Sequence, residues 1–161
     1  MAARRRSRSG RSALTQFVDQ YIATALWSSN DESDERGGEP LDRNYGPSDI
    51  APETRRKMFL DAVSFYKANI MDFNDPSQAG HDFWLTRNGH GAGFWDRSED
   101  VYSPAAAKRL TNASKAYGEF DLYVGDDNQI HGDTYHRGRP SRKTSRSPSR
   151  PGSRRGSLRT R

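Results

Sequence analysis

A chain of 161 residues with 32% hydrophobic content and no cysteine has room for one domain plus polar extensions, and it excludes disulfides, thiolate metal sites and cysteine nucleophiles. Its formal charge of +5 conceals a sorting by position: residues 1–12 hold five arginines, residues 137–161 hold nine arginines and one lysine, and all 21 acids lie between Asp19 and Asp133. The ends therefore carry +15 and the body between them −10, while no apolar run approaches the ~20 residues of a membrane helix.

The N-terminal arm, residues 1–12, contains Arg4, Arg5, Arg6, Arg8 and Arg11. Its Arg/Ser composition is that of a mitochondrial transit peptide, but the segment that follows has a core face and is expected to be retained. Thr15, Gln16, Asp19 and Gln20 interrupt any secretory apolar region. Residues 13–28 read as an amphipathic helix, with Leu14, Phe17, Val18, Tyr21, Ile22, Ala25 and Leu26 at three- and four-residue steps. From Ser28 to Asp49 the chain is polar, with Gly37-Gly38, Pro40 and Pro47, and reads as a loop.

Pro52 and Glu53 suit the first turn of a second helix. Its inward stripe is expected to be Phe59, Ala62, Val63, Tyr66 and Ile70, with Pro76 and Gly80 ending the region. The string Gly80-HDFWLTRNGHGAGFWD-Arg97 is the densest in the chain. Phe83 and Leu85 alternate with Asp82, Trp84 and Thr86, Asn88-Gly89 is a turn signal, and Phe94-Trp95 restarts a strand. This predicts a β-hairpin with a glycine-rich tip. Ser103-Pro104 opens a third helix that carries Ala106, Leu110, Ala113 and Tyr117 inward and stops at Gly118. Phe120, Leu122 and Val124 alternate as a strand, residues 125–128 turn, and residues 129–131 form a short return strand. The order α-α-β-β-α-β(-β) predicts a small α+β domain over residues 13–131, with helices packed on an antiparallel sheet.

The C-terminal tail, residues 132–161, is low in complexity and has little to bury beyond Leu158. It is expected to be disordered when free, as is the N-terminal arm. Arginine matches phosphate oxygens with a planar fork. Arg142, Lys143, Arg146, Arg150, Arg154, Arg155, Arg159 and Arg161, with the five N-terminal arginines, are thus candidate phosphate contacts for sequence-independent nucleic-acid binding. Other polyanions, and the acidic body itself, compete for the same cations. The tail is similar in composition to protamines, splicing-factor tails and some viral core proteins. Ser147-Pro148 and Arg154-Arg155-Gly156-Ser157 have kinase-site patterns, and phosphate there would weaken polyanion binding.

Within the hairpin, His90 with Asp96 or Asp127 would make a general-base or metal site for a small metal-assisted hydrolase. The plainer reading is an exposed loop tip, with no catalytic residue, metal or cofactor. His81 lies too far along a strand to join His90. Trp84 and Trp95 near cross-strand positions offer either a stacking platform for bases or a core pair, and the second use is commoner. Trp84, Asn88, His90 and Trp95 form the candidate partner surface. Gly125-Asp126-Asp127 matches a polymerase metal motif but reads as a turn at this chain length.

The string His81–Arg97, with residues 21–28 before it and 121–127 after it, resembles a family of small tailed-phage and prophage proteins over about Phe17 to Ile130. The resemblance implies no reaction, cofactor or catalytic residue, and the Arg/Ser arms depart from it. It implies an accessory protein acting in the cytoplasm of a bacterial host, with a phage or host protein as a further partner. In net charge alone the body is similar to DNA-mimicking inhibitors, so a third reading is an inhibitor of a host or defence protein. Oligomeric state is left open.

Overall fold

Ser12 caps the first helix, its Oγ accepting from the Thr15 amide at 3.1 Å. The computed structural model describes residues 11–33, 35 and 37–135. Helix α1 spans Ala13–Ser28, α2 Pro52–Asn69, α3 Pro76–Arg87 and α4 Pro104–Lys115. Strands β1 (Asn30–Asp31) and β2 (Glu39–Pro40) form one small antiparallel sheet, and β3 (Glu119–Val124) and β4 (Ile130–Tyr135) form another. The fold is thus α+β, as expected, but helices dominate.

Six of the seven residues expected on the inner face of α1 are buried, with Leu14 packed at its margin. The face of α2 is rotated from the expected one. Met58, Ala62 and Phe65 are buried together with Thr54 and Asp61, whereas Phe59 is 47% and Ile70 42% exposed. A carboxylate inside the buried stripe is what disguised it. Helix α4 begins and ends as expected, with Ser103 Oγ accepting from the Ala106 amide at 3.1 Å and Gly118 at φ +81°.

The predicted hairpin over residues 81–97 is not formed. Pro76 starts a helix rather than ending one, because Asp75 accepts from the amides of Ser77 and Gln78 at 3.0 and 3.2 Å. Every residue from Asp82 to Arg87 is buried. A helix packed on all sides has no polar face, so its periodicity vanishes and chance alternation imitates a strand. Asn88-Gly89 is a helix terminus: Gly89 at φ +72° donates to Thr86 O at 3.1 Å, and the His90 amide donates to Leu85 O at 2.9 Å. Those two bonds define a Schellman cap. Phe94–Asp96 is one 3-10 turn, tied back by the Phe94 amide to Thr86 Oγ1 at 2.9 Å.

Gly80 also has another use than the one expected. It lies inside α3 where that helix crosses α1, and a Cβ there would collide with the Phe17 carbonyl oxygen. Gly80→Ala is therefore expected to destabilise by about 1–3 kcal/mol despite the better helix propensity of alanine. A lower urea midpoint with an unchanged m-value checks this; a midpoint equal to or above wild type refutes it.

At the crossing Phe83 stacks on Phe65 with centroids 4.0 Å apart and on Tyr21 at 5.0 Å. The hairpin β3–β4 closes through Gly125 and Asn128, the latter at φ 64°. Its return strand runs to Tyr135, so the body extends past the expected boundary at residue 131. Ser12, within the expected N-terminal arm, is the N-cap of α1, and Arg11 precedes it. Arg11 pairs with Asp19 at 2.7 Å.

Candidate functional site

Two ionic networks hold the region that the sequence marked as functional. Arg87, fully buried, donates from Nη1 to Asp61 Oδ2 at 2.9 Å and to Tyr21 Oη at 2.8 Å. Its Nε reaches Gly118 O at 2.8 Å and its Nη2 Tyr117 O at 3.0 Å. The guanidinium also lies 5.4–5.7 Å from the ring centroids of Phe83, Tyr117 and Phe120. Burial pushes the Tyr21 phenol up to about 12, against the opposing pull of Arg87.

Asp82 is the second centre. Arg97 Nη2 donates to Oδ1 at 2.6 Å, Tyr102 Oη to Oδ2 at 2.8 Å and Gln78 Nε2 to both oxygens at 3.1 Å. His81 Nδ1 lies 3.1 Å from Oδ1. Burial and the adjacent carboxylate both raise the Tyr102 phenol. The His–Asp–Arg chemistry of the motif thus serves to fasten the segment 88–102 onto α3.

With that segment fastened, a polar cleft of about 470 Å3 opens along the outer edge of β3. Ser28, Ser29, Asn30, Glu32 and Ser33 line it, together with Trp84, Asn88 and His90. Trp84 is 1% exposed and donates from Nε1 to Ser28 Oγ at 2.9 Å. It is a core residue, not half of a stacking platform. Trp95 is 52% exposed and does not line the cleft. The structure therefore joins three of the four residues of the expected partner surface and leaves Trp95 apart.

The expected pairing of His90 with Asp96 or Asp127 is not made. The His90 side chain is exposed and has no hydrogen-bond partner among the described residues. Asp127 accepts from His131 Nε2 at 3.0 Å and from the Gln129 amide at 3.0 Å. The bond from His131 holds the Asp127 carboxyl below the usual range. Among the described residues no three His, Asp or Glu side chains are grouped to hold a metal ion. The Gly125-Asp126-Asp127 segment is the hairpin turn.

What sequence reasoning missed is the contribution of β3 itself. The Phe120 amide donates to Asn88 Oδ1 at 2.8 Å, across 32 residues of chain. No local pattern announces such a contact. Arg4, Arg5, Arg6, Arg8, Arg142, Lys143, Arg146, Arg150, Arg154, Arg155, Arg159 and Arg161 lie outside the described residues. A second concavity, about 710 Å3, lies between α1 and the start of α2, lined by Val18, Ile22, Ile50, Arg55, Arg56 and Phe59.

Comparison of the chain with family models, with curated proteins and with solved structures finds no match. Among the described residues no helix is long and apolar enough to cross a membrane.

Proposed function

We propose that this protein is a non-enzymatic accessory protein, of the phage type and acting in a bacterial cytoplasm, that binds nucleic acid independently of sequence through its arginine-rich ends. The single observation behind this reading is the sorting of charge: 15 basic residues and no acid in the ends, against a body with 11 basic and 21 acidic residues. Phosphate contacts to such ends release counterions and read no base edges. The acidic body repels a nucleic-acid strand, so contact is confined to the ends. Several body cations are already engaged: Lys57 and Arg87 with Asp61, Arg97 with Asp82 and Arg109 with Asp72.

Fluorescence anisotropy with labelled duplexes of unrelated sequence tests this. Affinities are expected to agree within about threefold between sequences, and log K to fall with log salt at a slope of roughly −4 or steeper, as at least four or five phosphate contacts require. Replacing Arg142, Lys143, Arg146, Arg150, Arg154, Arg155, Arg159 and Arg161 with glutamine should flatten that slope. Binding that survives these replacements together with those of Arg4, Arg5, Arg6 and Arg8 refutes the reading.

A further inference from the structure

Much of the stripe that the sequence marked as the inner face of α2 is left outside by the fold. Phe59, Leu60 and Ile70 are 47%, 50% and 42% exposed, and Val63 is partly buried. Phe59, Val63 and Ile70 follow at four- and seven-residue steps and so share one side of the helix. At the rise of an α-helix the strip from Phe59 to Ile70 is about 16 Å long. Contiguous apolar ground on a surface marks a site of interaction.

The strip begins in the concavity of about 710 Å3, which Phe59 lines together with Leu14, Pro52 and the buried Val18, Ile22 and Ile50. Its cations are Arg55 and Arg56, both exposed and with no side-chain hydrogen bond or ion pair among the described residues. Arg55 stands one turn before Phe59. Lys67, one turn after Val63, is exposed and likewise unpaired among the described residues. Of the two acids on α2, Asp61 is buried against Arg87 and Lys57, and Glu53 does not line the concavity. Asp19 is the one acid in the lining, and Arg11 holds it at 2.7 Å. On a body with 21 acids and 11 basic residues, this face offers free cations beside apolar side chains.

We propose that this face of α2, with the concavity at its start, is a docking site for an amphipathic helix of a partner polypeptide that carries acidic residues along the margin of its apolar side. Apolar anchors at three- and four-residue steps would enter the concavity and follow the strip, the helix-in-groove mode of recognition. Carboxylates beside them would meet Arg55, Arg56 and Lys67, which fixes the sign of charge and the register. A second copy of the face would bring the same cations against each other. The chain's own ends, with 15 basic residues and no acid, are repelled for the same reason. A lipid surface has no projecting side chains to fill a concavity of this size. The site uses none of the cations assigned to nucleic acid, and either reading can fail without the other.

The test is an NMR titration of the full-length chain with a helical peptide of about 15 residues, roughly four turns, that carries leucine at three- and four-residue steps and glutamate on both flanks of the leucine face. One control replaces glutamate with lysine. A second keeps the composition but scrambles the order, so attraction to the arginine-rich ends is common to it and to the probe. Expected are shifts at Val18, Ile22, Phe59 and Val63 and at least tenfold weaker binding of both controls. Phe59→Ser, and Arg55→Gln with Arg56→Gln, are exposed changes that should each weaken the probe at least fivefold and leave the melt unchanged. Equal binding of the scrambled peptide would mean charge attraction to the ends only and overturn the proposal. Absence of shifts at the four named residues would do the same. So would sedimentation showing a dimer that Phe59→Ser dissociates, or Phe59-dependent binding to phosphatidylglycerol vesicles that the peptide does not displace, since a second copy or a membrane would then be the occupant.

Discussion

Arg87→Met is expected to cost about 3–5 kcal/mol of folding stability, the largest effect of any single substitution considered for this chain. The side chain is fully buried and donates to four acceptors drawn from three separate parts of the fold: Tyr21 on α1, Asp61 on α2, and the carbonyls of Tyr117 and Gly118 between α4 and β3. Methionine matches much of the volume but none of the donors. Lys57 still reaches Asp61 at 3.2 Å, so that carboxylate keeps one partner. The two carbonyls do not, and an unsatisfied buried acceptor costs about 1–3 kcal/mol. Guanidine melts followed by near-ultraviolet dichroism measure the loss. A double-mutant cycle with Asp61→Leu separates the ion pair from the carbonyl contacts, and removing both charges should restore part of the stability. A single Arg87→Met variant within 0.5 kcal/mol of wild type would show that this network is not what joins the elements.

Asp82→Asn is expected to be the next most damaging, at about 2–3 kcal/mol, the scale of hydrogen bonds to a charged group. The substitution keeps shape and removes charge, yet the surroundings do not tolerate it. Arg97, Tyr102 and Gln78 all point donors at the carboxylate. An amide offers one accepting oxygen in place of two, and its hydrogens face the Arg97 and Gln78 nitrogens, which can only donate. Arg97 is about one-quarter exposed and can turn to water, which is why the loss is smaller than at Arg87. Its release also frees the bond from Nη2 to Ala92 O. Hydrogen exchange should accordingly accelerate in residues 89–97 before it does in α1 or α2. Global and local stabilities that fall together would instead assign Asp82 to the core at large, and an unchanged melt would exclude the network as a fastener.

The legibility of this fold varied with how each element meets its surroundings. Helix α1 faces the core on one side and water on the other, so Phe17, Val18, Tyr21 and Ile22 stood out by spacing alone. Capping residues act on their own neighbours, and Ser103-Pro104 and Gly118 were correspondingly readable. Helix α3 has core on every side. Its Phe83-Trp84-Leu85 run carries no helical period, and Asn88-Gly89 suits positive φ equally in a hairpin and in a helix cap, so the two structures share one signal. Asp61 concealed the true face of α2 because its partner, Arg87, comes from 26 residues further along. The residues named as a candidate catalytic site, His90, Asp96 and Asp127, were close in sequence or composition but are not brought together.

The cleft illustrates the same limit. Trp84, Asn88 and His90 attracted notice by residue type, and they do meet there. The main-chain edge beside them has no signature in side-chain identity. There Asn88 meets β3, while β4 is covered by Ala51 and Thr54.

By itself the order of residues determined the sorting of charge, the lack of thiol chemistry, the outline of α1 and α4 and the β3–β4 hairpin. These depend on composition or on neighbours within one or two turns of the chain. Tertiary structure alone decided that the motif at residues 81–97 holds a buried helix and its cap, that Arg87 and Asp82 are fasteners, and that Asn88 meets β3. Each of those outcomes requires groups far apart in the chain to meet, and whether a polar group is satisfied or exposed is settled only when they do.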